Sequence, residues 1–114
     1  MIDDVEKSVA LAHRIRSALP IRAFATKGLR GILQQNSKRD FPNECSVTEV
    51  TYLGDEGGIA CNLDFGFDDT KEVHIVSITH LTFDRGHPLA REIAAYCKHR
   101  IKRLKKLHHG MAPT

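Results

Sequence analysis

The chain has 114 residues, 41% of them apolar and 27% charged, with a net charge of +3. That length fits one globular domain, 1–114, and suffices to bury a core without disulfide or metal support. Its apolar runs are only a few residues long, which excludes a membrane-spanning helix of ~20 residues.

The opening stretch Met1-Ile2-Asp3-Asp4-Val5-Glu6 is acidic and lacks the apolar core of a secretory leader. Asp3 followed by Glu6 reads as a helix cap. Val5, Val9, Ala12, Ile15 and Leu19 recur at helical spacing until Pro20, which predicts a helix over 4–18. Ile21, Phe24, Ala25, Leu29, Ile32 and Leu33 continue that spacing and predict a second helix over 21–35. Gly28 and Gly31 weaken it, by about 1 kcal/mol each relative to alanine. They serve either close helix packing or a break.

Three strands are predicted next, over 46–53, 59–67 and 72–83, joined by turns at 54–58 and 68–71. Ile59, Cys61, Leu63, Phe65 and Phe67 alternate with small or polar residues, so one face of the middle strand is core. Short turns imply an antiparallel meander. In the third strand Val73, Ile75, Leu81 and Phe83 read as one face, and His74, Val76, Ile78 and His80 as the other. Val76 and Ile78 suit solvent poorly, so that second face is a candidate interface, covered by a helix or by a second copy.

A last helix is predicted over 88–107, and a frayed tail over 110–114. The expected fold is therefore α+β, ordered α-α-β-β-β-α: a helical part at 1–39, a sheet at 44–83 and a basic amphipathic helix. On a helical wheel Leu89, Ile93, Tyr96, Cys97, Ile101, Leu104 and Leu107 share an arc. Arg91, Lys98, Lys102, Lys105 and Lys106 fall opposite, with His99 and Arg103 on a flank. Arg100 falls inside the apolar arc, where a guanidinium must find an acceptor or snorkel outward. Asp64 is the chosen ion-pair partner, with Glu49 and backbone carbonyls as alternatives.

Charge is sorted along the chain. Residues 1–39 are net +5, 40–84 net −9 and 85–114 net +7. Either basic helices dock on an acidic sheet, or a basic face awaits an anionic partner. On the second reading Lys98, Lys102, Arg103, Lys105 and Lys106 contact the phosphates of a nucleic acid, or an acidic protein.

Catalytic patterns are wanting. Cys45, Cys61 and Cys97 are an odd, widely spaced set, expected as reduced thiols in a cytoplasmic protein. His74 and His80 stand roughly 20 Å apart along one strand, too far to share an ion. No metal or other cofactor is expected. Asp55 and Asp69-Thr70-Lys71 echo a nuclease pattern, but in a meander their turns lie at opposite ends of the middle strand. The order of elements resembles, in topology alone, the small ribonuclease toxins of bacterial toxin–antitoxin pairs. Those usually begin with a strand and carry basic residues on the sheet, so the resemblance transfers no residue. The sequence reading is a binding module. Its alternatives are a self-associating domain using the outer sheet face, forming a homodimer, and a small toxin-like ribonuclease.

Overall fold

The computed structural model describes residues 2–37, 39–67 and 73–111. It is α+β, with helices α1 (Val5–Ala18), α2 (Lys27–Ser37), α3 (Gly54–Gly57, a single turn) and α4 (Ala90–Met111). The strands are β1 (Ile21–Ala25), β2 (Glu44–Tyr52), β3 (Ile59–Asp64), β4 (His74–Ser77) and β5 (Leu81–Phe83). All neighbours pair antiparallel, in the order β4-β3-β2-β1-β5. The predicted meander is β2-β3-β4.

The sheet has five strands rather than three, for two reasons. Residues 21–25 form a strand, not the start of a helix. Ile21, Ala23 and Ala25 are buried while Arg22 is exposed, so the period of two prevails over the overlapping helical one. The helix begins only after Thr26, whose Oγ1 accepts from Leu29 N at 3.3 Å. The predicted third strand, in turn, is broken by a 3-10 turn at Ile78–His80. Its first half pairs with β3 and its second with β1. In a flat sheet those two edges would lie about 19 Å apart. Three 3-10 residues span only about 6 Å. The sheet is therefore curled, and one run of chain bridges its two margins.

The kink also reassigns the faces read from alternation: Leu81 is buried and Phe83 packs against the core, but Val73 and Ile75, read on the same face, do not. Ile78 is fully buried and Val76 packs against the core, whereas Val73 and Ile75 are each 65% exposed. His74 stands edge-on to the rings of Phe41 and Phe65, and His80 is exposed. His74, Val76, Ile78 and His80 thus do not form an outer interface: the middle two point into the curl, where the Cys97 thiol of α4 donates to the Ile78 carbonyl at 3.7 Å.

The core fills the curl with Val47, Val50, Ile59, Cys61 and Ile78, capped by Ile15 from α1 and Ile93 from α4. Leu63 and Phe65 are buried, as the middle strand's alternation requires. The turn expected at 68–71 and the first residue of the predicted third strand, Glu72, lie outside the described residues. Among the described residues no helix is long and apolar enough to cross a membrane.

Candidate functional site

The last helix is positioned by a polar knot that joins three distant segments. Asp4, rather than Asp3, caps α1, its side chain accepting from Lys7 N. That leaves Asp3 free to turn inward, where it is 4% exposed. Its Oδ2 accepts from Arg100 Nη1 at 3.0 Å, Tyr96 Oη at 3.1 Å and Tyr52 Oη at 3.2 Å. Oδ1, equally buried, has no hydrogen-bond partner among the described residues. Arg100 also donates to the carbonyl of Asp55 at 2.9 Å and, through Nη2, to that of Glu56. The Asp55 carboxylate in turn accepts the backbone N–H of Ile2 and of Asp3, both at 2.7 Å to Oδ1.

Arg100 is thus interior, 3% exposed, and its charge is met by Asp3. Asp64, the partner expected from the sheet, is exposed and accepts from Gly66 N instead. Glu49 pairs with Arg16. The sequence did hold a signal for Asp3: two adjacent acids stand where a helix cap needs one, and a wheel position inside the apolar arc needs the other. Asp55 and Tyr52 carry no such signal, because their roles arise only when α3 folds against the N-terminal segment.

Titration follows from this geometry. The two backbone N–H groups of Asp3 and Ile2 hold the Asp55 carboxyl below the usual carboxylate range. Burial, beside the Asp3 carboxylate, pushes the Tyr96 hydroxyl above the usual phenol range, so it remains a donor. Burial also pushes the thiols of Cys45 and Cys97 up to about 11 and that of Cys61 up to about 12. None is a thiolate near neutral pH. Among the described residues no three of His, Cys, Asp and Glu gather closely enough to hold a metal ion.

Beyond Arg100 the helix outruns the body. Every described side chain from Ile101 to Leu107 is exposed, Leu104 at 39%, so the last members of the apolar arc, Ile101, Leu104 and Leu107, stay outside the core. The helix also continues past the predicted end at Leu107, to Met111. Its outer face carries Lys98, Lys102, Lys105 and Lys106, at i, i+4, i+7 and i+8. Arg103 is set apart from them: it lines a crevice with Ile2, Asp4, Glu6 and His99, facing the acidic start of α1.

The charge sorting resolves into two halves. Arg14 pairs with Glu92, Arg16 with Glu49 and Arg22 with Glu44, each across two elements, and Arg100 pairs with Asp3 of the N-terminal segment. Among the described residues, Lys98, Lys102, Lys105 and Lys106 make no ion pair, and no acidic residue occurs from Ile93 onward. No known protein family, curated protein or solved structure matches the chain.

Proposed function

We propose that this protein is a binding module that holds nucleic acid through Lys98, Lys102, Lys105 and Lys106 on the projecting half of α4. The carrying observation is the contrast just described. The arginines of α1, β1 and the knot are neutralised within the fold, and the four lysines of the outer face are not. Lys98 to Lys106 spans about 12 Å at the helical rise. Duplex DNA offers one phosphate charge per ~1.7 Å of axis, so four lysines over that span meet acceptors in any register. Contacts of this kind position a protein without reading sequence. The exposed stems let each ammonium follow the backbone, and the rigid knot behind them fixes the helix direction.

Binding is measured by fluorescence anisotropy on a generic 20-mer duplex and a single-stranded RNA. Four phosphate contacts give a slope of log affinity against log salt near −3.6 on duplex, about a 100-fold loss between 50 and 200 mM. Replacing the four lysines by glutamine removes that binding while the circular dichroism and melting point stay unchanged. Absence of low-salt affinity for either polymer rejects the reading.

A further inference from the structure

We propose that the groove between β5 and α4 receives an extended, acidic peptide segment of a partner protein as an additional strand. The groove is a half-open trough of about 610 Å³. One wall is β5, the last strand of the sheet order, which among the described residues has a neighbour only on its β1 side. The other wall is α4, presenting Ala90, Ala94 and Cys97.

The ladder fixes which backbone groups face the groove. Thr26 N donates to His80 O at 3.1 Å, so that pair is a hydrogen-bonded one. Alternation then makes Phe24↔Thr82 hydrogen-bonded as well, and Ala25↔Leu81 and Ala23↔Phe83 not. Ala25 agrees, because its N–H donates the other way, to Asn43 O. Leu81 and Phe83 therefore direct their backbone groups to the open edge. The Leu81 N–H is taken by Ile78 O within the 3-10 turn. The Leu81 carbonyl and both groups of Phe83 remain, which is the set one added strand engages.

Charge names the occupant. Arg85 and Arg91 line the groove where β5 ends, both are exposed, and neither has an ion pair among the described residues. A carboxylate on the incoming segment meets two guanidinium forks there. This surface is separate from the four lysines, and a protein segment on it is compatible with nucleic acid on the outer face of α4.

A displayed library of random octapeptides, panned against the intact protein, tests the proposal. Enriched sequences should carry Asp or Glu at one end. A synthetic copy should slow hydrogen exchange of the Phe83 amide by at least about tenfold. The double variant Arg85→Gln, Arg91→Gln should weaken that peptide about tenfold at an unchanged melting point, and Lys98→Gln with Lys102→Gln should not weaken it. The proposal is overturned if no peptide is enriched, if enriched peptides lack acids or bind the double variant equally, if N-methylation of alternate peptide amides leaves affinity intact, or if the Phe83 amide is already protected in the free protein.

Discussion

Arg100 and Asp3, 97 positions apart in sequence, meet at 3.0 Å between Nη1 and Oδ2, with both side chains shielded from solvent. A buried ion pair contributes little net stability, yet removing one member strands the other. Arg100→Ala is expected to destabilise the protein by about 3–5 kcal/mol, while Lys102→Ala on the exposed face changes it by about 0.5 kcal/mol or less. Thermal melts of the two variants side by side check this; equal melting points refute it.

Asp55 makes the same knot sensitive to acid. Its folded carboxyl titrates below the usual range, so its contribution is complete above the unfolded value and disappears as pH falls through the folded one. Urea titrations below about pH 4 should show wild type losing stability more steeply than Asp55→Asn, with the two curves parallel near neutrality. Parallel curves throughout would show that the carboxylate does not hold the N-terminal amides.

Two glycines should respond to alanine with opposite signs. Gly58 has φ +66° and ψ −155°, and an added Cβ would stand 2.6 Å from Arg100 Nε. Gly58→Ala is expected to cost about 1–3 kcal/mol for the backbone alone, before the displaced guanidinium is counted. Gly31 lies within α2, where a Cβ would meet nothing within 4 Å. Gly31→Ala should stabilise by about 0.5–1 kcal/mol. Chemical denaturation of both variants reads the signs directly.

Leucines test where the core ends. Leu63→Ala should cost about 2–5 kcal/mol, because the side chain is 4% exposed within the core, its residue opposite Val47 in the sheet. Leu104→Ala, on the projecting half of α4, should change stability by about 0.5 kcal/mol or less. A large loss at Leu104 would mean that the helix end is packed in solution.

Period and composition made α1, β2, β3 and α4 legible, since α1, β2 and β3 each bury one face and α4 does so up to Arg100. β1 was hidden because Ile21, Phe24 and Ala25 satisfy a helical period while Ile21, Ala23 and Ala25 satisfy a strand's. Only its place between β2 and β5 decides between them. The inverted faces of β4 had a different cause: the 3-10 turn at Ile78 resets the alternation, so Leu81 and Val76, of opposite parity, both face inward. For the candidate site, the unshared lysines were visible as a charge run on one helix face. The wheel put Arg103 on a flank beside them, but that this flank faces the acidic start of α1 was not legible, because it depends on how α1 lies against α4. Arg100 was readable as misplaced on its wheel, yet its partner came from the far end of the chain.

The run of chain that bridges both margins of the sheet imposes an order of assembly. β2 and β3 are joined by a short turn and can zip locally, but Ala23 and Phe83, which pair across β1 and β5, stand more than half the chain apart. Closing so large a loop forfeits entropy before the contact repays it. The β1–β5 seam is therefore expected to close after the β2–β3 hairpin, and only its closing carries Ile78 and Leu81 into the core.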